Sequence, residues 1–216
     1  YYTVGQHITP EQLRRGLEPV RTIREAVGDR MEIAIELHSR WNLPSAIRIA
    51  RALEQYDIFW FEDALTPDPV DDLARLVQET RVPICASERL FTRYAFRQVL
   101  ERKAAHVIMP DIIWTGGISE GKKIAAMAEA YHLPIAPHDC TGPVNVFACL
   151  HLCASCPNAM IMESVRAFYR GYYGEIVEPN LDVREGYIAF PTTPGLGTRL
   201  RPEVLARRDA QVQTSE

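Results

Sequence analysis

The chain has 216 residues, 47% of them hydrophobic and 24% charged, and carries a net charge of −4. That is enough apolar material for a sizeable core, so one globular domain is expected, not a disordered chain. The acidic balance excludes the electrostatic footprint of a nucleic-acid binder, and no apolar run of bilayer length or secretory pattern is visible, so small-molecule chemistry in the cytoplasm is the expectation.

The opening "YYTVGQHITP" reads as a loop, and "PEQLRRGLEPVRTIREAVG" as an amphipathic helix with a glycine stop. "MEIAIEL" then reads as a buried strand, "LPSAIRIARALEQY" as a helix, "DIFWFE" as a strand and "DPVDDLARLVQET" as a helix. The alternation continues with "VPICASE", "AAHVIMPD", "LPIAPH" and "AMIMES" as strands and "TRYAFRQVLER", "SEGKKIAAMAEAYH" and "GPVNVFACLHLCA" as the helices between them. Six apolar strands separated by helices imply an α/β fold with parallel strands, covered on both faces and joined by right-handed crossovers. No glycine-rich phosphate loop follows any strand, which favours a (β/α) barrel of TIM type over a nucleotide-binding open sheet. Residues 1–170 are assigned to the barrel. From Gly171 to residue 216 the sequence is rich in Gly and Pro and reads as an irregular tail with short strands.

The strand ends carry the chemistry. They hold Glu36 and His38, Glu62, Glu88, Asp111, His138 and Glu163, so every strand closes on an ionisable group. Side chains alternate along a strand, so Glu36 and His38, separated by Leu37, are expected on one face. In a parallel barrel the strand C-termini share one rim, and these groups would converge there. Glu36, Glu62 and Glu88 recur at an interval of 26 residues, and Asp111 and His138 follow 23 and 27 further on, as a repeat that advances one barrel position per step would require. Three carboxylates make an all-oxygen site suited to Mg²⁺ more than to zinc. An aspartate beside an imidazole orients it and makes His138 a candidate general base, while His38 could give a proton from another side.

Other residues have plainer readings. His106 lies at a strand start, His132 at a helix end and His151 within a helix, all structural positions. Asp139 and Cys140 line the rim, or Asp139 caps the next helix. Arg89 contacts a substrate carboxylate or pairs with a neighbouring acid. Trp114 and "GGIS" shape a loop. The five cysteines, three of them at helical spacing in "VFACLHLCASC", read as reduced core residues.

Taken together, "IELH", "WFEDAL", "CASERL", "MPDIIWTGGISEGKKIAAMAEAYHLPIAPHD" and "GYIAFPTTPGLG" resemble the enolase superfamily, mandelate racemase subgroup, and within it acid-sugar dehydratases of the galactonate dehydratase type. The resemblance implies Glu36, Glu62 and Glu88 as ligands of Mg²⁺, with Mn²⁺ as a substitute, Asp111 and His138 as the base dyad, and Glu163 as a hydrogen-bonding partner of the substrate. It implies His38 as general acid on the leaving hydroxyl. The activity implied is dehydration of a sugar acid to a 2-keto-3-deoxy acid, with a racemase, epimerase or cycloisomerase, or a non-catalytic barrel, as alternatives. Glu36 departs from the family, whose first ligand is more often Asp. The family also carries an N-terminal capping domain and two earlier strands that these residues lack. The chain is therefore expected to be the C-terminal part of a longer enzyme, its tail packing toward that capping domain, and a homo-oligomer is implied.

Overall fold

The computed structural model describes residues 5–211 and 213; the first four residues of the expected opening loop, and tail residues 212 and 214–216, lie outside it. Helix α1 (Pro10–Val27) starts where Thr9 and Gln12 cap each other and ends at Gly28, whose φ of 58° stops the helical path. Strand β1 (Ala34–Glu36) leads to α2 (Leu43–Leu53), which is capped by the Asn42 side chain. Strand β2 (Trp60–Glu62), α3 (Val70–Glu79), β3 (Ile84–Ala86), α4 (Thr92–Glu101) and β4 (Val107–Ile108) continue the alternation. Then come a one-turn helix α5 (Ile112–Thr115), α6 (Ile118–Ala130) and α7 (Pro143–Ser155). The fold is thus α/β with a parallel sheet in the order β1-β2-β3-β4, and β1 and β2 are in register so that Glu36 faces Glu62.

Two of the six expected strands are not continuous ladders. Residues 133–138 and 159–164 extend the sheet through single parallel pairs, Ile108 with Ile135, Asp111 with His138, and Ile135 with Ala159. Proline explains the interruption. Pro110, Pro134 and Pro137 bring no N–H to the ladder, yet their carbonyls still accept from His138, Ile108 and Glu163. Trp114, expected in a loop, lies in α5, whose N-cap is Asp111.

The two faces of the sheet differ. Phe61, Ile84, Ala86, Ile108 and Ile135 pack against the helices with Leu73, Leu76, Phe96, Leu100, Ile124 and Leu152. The alternate residues Trp60, Cys85, Val107, Met109 and Ala136 form a smaller cluster on the other face. Helices therefore cover one face only, and the sheet's own side chains fill the other, as in a barrel interior. Among the described residues no helix is long and apolar enough to cross a membrane. All five cysteines are free: Cys85, Cys149 and Cys156 are buried, whereas Cys140 is exposed and not a core residue.

The tail is tied down at a few points. Val177 and Glu178 pair with Leu200 and Arg199, and Val183–Arg184 pairs with Tyr187–Ile188 around Glu185 and Gly186. Both of those turn residues have positive φ, the conformation that a tight hairpin turn needs. The His151 ring on α7 bonds the Leu196 carbonyl at 3.1 Å, and the Tyr173 side chain is fully buried.

One surface arginine closes the first helical unit. Arg24 donates to the carbonyls of Tyr56, Gly28, Met31 and Asp57 at 2.7–3.0 Å, joining the end of α1 to the turn after α2. Hydrogen bonds from a charged donor contribute about 1.5–3 kcal/mol, so Arg24→Ala is expected to destabilise the chain by about that much. Thermal melting checks it; an unchanged Tm would mean that water satisfies these carbonyls equally well.

Candidate active site

Alternation on β2 puts Trp60 and Glu62 on the face away from the helices, and Trp60 donates its indole N–H to Glu62 Oε2 at 2.8 Å. Register with β1 brings Glu36 alongside, and the loop after β3 adds Glu88, so that one ligand oxygen from each of the three lies within 4.8 Å of the others. Glu62 and Glu88 are buried and Glu36 is exposed. Burial first, and then the neighbouring Glu36, push the Glu62 carboxyl up to about 9.

His138 stands on the other side of Glu88. Its Nδ1 lies 2.8 Å from Asp111 Oδ2, its Nε2 lies 2.8 Å from Glu88 Oε2, and Glu163 Oε2 is 3.6 Å from the same Nε2. Burial alone would lower the imidazole, but the hydrogen bonds to Asp111 and Glu88 outweigh it and hold His138 up to about 11. In return the His138 hydrogen bond holds Glu88 below the usual carboxylate range. Asp111 is fixed from behind, because its Oδ1 accepts the Ile113 and Trp114 amides at the start of α5. Burial raises Glu163, whose Oε2 accepts the Asp139 amide at 2.8 Å.

His38 reaches the site by a different route from the expected one. Strand β1 ends at Glu36, and His38 and Ser39 both have positive φ, so strand alternation does not set their direction. The turn still brings His38 Nδ1 to 3.8 Å from both Glu36 Oε1 and Glu88 Oε1, and the ring is 54% exposed. Its own amide donates to Glu36 Oε1. Glu88 thus lies between the two imidazoles, one carboxylate oxygen toward each.

Several supports around these groups were not legible as a set. Asp63, directly after Glu62, is buried, accepts the Ser87 hydroxyl at 2.8 Å, and is pushed up to about 7 by burial. Ser87 Oγ in turn accepts the Arg89 amide, which pins both neighbours of Glu88. The Arg89 guanidinium lies 4.0 Å from Asp63 and 3.9 Å from Glu88, on the side of pairing with neighbouring acids. Asp139 neither lines the rim nor caps α7: it is fully buried, and Gly142 is the N-cap. Cys140 Sγ lies 3.3 Å from His138 Nε2. His106 accepts the Ile84 amide at its Nδ1, a structural bond. The only sequence signal for Asp63 was its place in "WFED".

The site is therefore a ring of carboxylates bordered by two imidazoles, one of them braced by an aspartate. A family model described as Enolase C-terminal domain-like matches residues 3–204. D-xylonate dehydratase of Haloferax volcanii is 32% identical over 196 residues, which cover 91% of this chain and 47% of that protein. D-galactonate dehydratase of Ralstonia nicotianae is 34% identical over 194 residues, covering 88% and 51%. Among solved structures, an enolase of the mandelate racemase subgroup from Agrobacterium tumefaciens superposes with a TM-score of 0.90 at 49% identity, over 93% of this chain and 55% of that one. A member of the enolase superfamily from Salmonella Typhimurium also gives 0.90, at 31% identity, over 94% and 52%. The chain spans about half the length of the dehydratases it matches.

Proposed function

The chain belongs to the enolase C-terminal domain-like family, and from that premise we propose that it carries the acid–base centre of a Mg²⁺-dependent sugar-acid dehydratase. One observation carries the reading: three carboxylates with oxygens within 4.8 Å of one another, and a braced imidazole hydrogen-bonded to one of them. Acids this close repel unless a cation joins them; burial first, and then the neighbouring Glu36, raise the Glu62 carboxyl. An all-oxygen donor set fits a hard dication. When bound, Mg²⁺, or Mn²⁺ in its place, would be held by Glu36, Glu62 and Glu88 and would act as a Lewis acid toward the substrate carboxylate.

The residues do the rest. With Nδ1–H held by Asp111, the imidazole keeps its lone pair on Nε2, and that nitrogen takes the proton from the carbon next to the carboxylate. His138 must be neutral to do so, and the charges that hold it up to about 11 include Glu88, one of the carboxylates a cation would engage. Glu163, raised by burial, is placed to share a proton with the oxygen that gains charge. His38 gives a proton to the departing β-hydroxyl, which leaves as water, and the enol product tautomerises to a 2-keto-3-deoxy sugar acid. Among the described residues β1 pairs only with β2, and an apolar cavity of about 610 Å³ lies beside it, lined by α1, α2, Glu36 and His38. An open edge of this kind suits further strands of the same barrel and supports reading the chain as part of a longer enzyme.

The test is His38→Asn, assayed in D₂O with D-xylonate, D-galactonate and arabinonate. Exchange of the α-proton is expected to persist while dehydration falls by about 10²–10⁴-fold, the usual worth of a general acid. Persistence of both would remove His38 from the mechanism, and the absence of both reactions in the unaltered longer enzyme that contains this chain would remove the dehydratase reading.

A further inference from the structure

Asp139 follows the imidazole directly and yet has no exposed surface. A carboxylate is taken out of water only at a cost, which its hydrogen bonds must offset. Its Oδ1 accepts the Asn145 side-chain amide at 2.9 Å, and that amide nitrogen is also 3.5 Å from the His138 carbonyl. Its backbone N–H donates to Glu163 Oε2 at 2.8 Å. Its Oδ2 is buried without a hydrogen bond, as is the hydroxyl of Tyr173, the tail residue whose phenol is pushed up by burial and then by the Asp139 charge. The peptide between His138 and Asp139 is therefore held at three points: by Asn145 on its carbonyl, by Asn145 on the Asp139 side chain, and by Glu163 on its own N–H.

We infer that Asp139 is a positioning residue, its buried side chain locking the 138–139 backbone to α7 so that the His138 ring and the Glu163 carboxylate keep their places around Glu88. The catalytic meaning of that lock rests on the function proposed above; the lock itself does not. An acceptor at Oδ1 is what the geometry requires, because the partner there is an amide N–H. Asparagine supplies that acceptor, and its own NH₂ takes the place of the unpartnered oxygen. Alanine supplies neither.

The test reads the imidazole without a substrate or a metal. The chain is prepared with ¹⁵N-labelled histidine, and the ring nitrogens of His138 are assigned by their loss in His138→Gln. Asp139→Ala is expected to give a resolved shift of both His138 nitrogens in the folded protein, Asp139→Asn to restore the wild-type positions, and Asn145→Ala to reproduce the shift of Asp139→Ala. Wild-type positions in Asp139→Ala would overturn the proposal. So would shifts in Asp139→Asn as large as those in Asp139→Ala, because charge and not the acceptor would then be responsible. If circular dichroism shows that Asp139→Ala does not fold, Asn145→Ala decides in the same way: a shift supports the lock and unchanged signals overturn it. Failure of the dehydration assay would leave each of these results standing.

Discussion

Glu62→Gln is expected to raise the Tm of the chain in EDTA and to erase the further rise expected from Mg²⁺ in the unaltered protein. Burial first, and then Glu36, push this carboxyl up to about 9, so at neutral pH folding must place a proton on Glu62 at a cost in stability, and a neutral amide carries no such cost. The Trp60 indole keeps an acceptor in the glutamine oxygen. In the unaltered chain, Mg²⁺ at about 100 times its dissociation constant adds about 2.7 kcal/mol. For a domain of this size that is a rise of about 5–10 °C. The variant has lost one of three ligand charges and is expected to show little of it. The pH dependence in EDTA follows the same logic. Glu62 has a folded value near 9 against an ordinary 4.5, so between those values the folded state holds a proton that the unfolded state does not, and stability falls as pH rises. Asp63 near 7, Asp139 near 6 and His138 near 11 are also raised on folding and slope in the same direction. Glu88 is lowered and opposes them only in the acid range. A Tm in EDTA that climbs from pH 5 to pH 9, or a variant whose response to Mg²⁺ matches the unaltered protein, would reject the trio as the cation site.

What could be read in advance depended on the scale of the pattern. The repeat of apolar strand, carboxylate and amphipathic helix is long-range and regular, and it picks out Glu36, Glu62, Glu88, Asp111, His138 and Glu163, side chains that the fold brings near one another. Strand alternation does not extend to His38, because the positive φ of His38 and Ser39 ends the strand at Glu36. Periodicity does not report a turn of this kind. The weak pairing of residues 133–138 and 159–164 was in principle visible in Pro134 and Pro137, whose missing donors thin the ladder while the apolar pattern persists. Asp63 and Asp139 were harder still. Each is an acid next to a proposed functional residue, and a sequence does not show that both carboxylates turn inward, Asp63 to the Ser87 loop and Asp139 to Asn145 on α7.

Replacing His138 with Asn is expected to lower α-proton exchange by about 10²–10⁴-fold while leaving the Mg²⁺-induced rise in Tm in place. That loss corresponds to about 3–5 kcal/mol of transition-state stabilisation. The interaction removed exists only when the proton moves, so kcat should fall while KM changes little. The partner variant Asp111→Asn separates the two duties of that aspartate. An asparagine can still accept the Ile113 and Trp114 amides through its oxygen, so the cap of α5 survives. Its NH₂, facing the ring, cannot accept the Nδ1 proton as Oδ2 does, and the imidazole is driven toward the tautomer with its lone pair on the wrong nitrogen. Exchange should therefore fall in Asp111→Asn as well, with the Tm nearly unchanged, and in the double variant by little more than in His138→Asn alone, because the aspartate acts through the imidazole. Exchange in His138→Asn within a factor of about 10 of the unaltered rate, far short of what a general base supplies, would move the base elsewhere. His38, the other imidazole beside Glu88, would then be the next to replace.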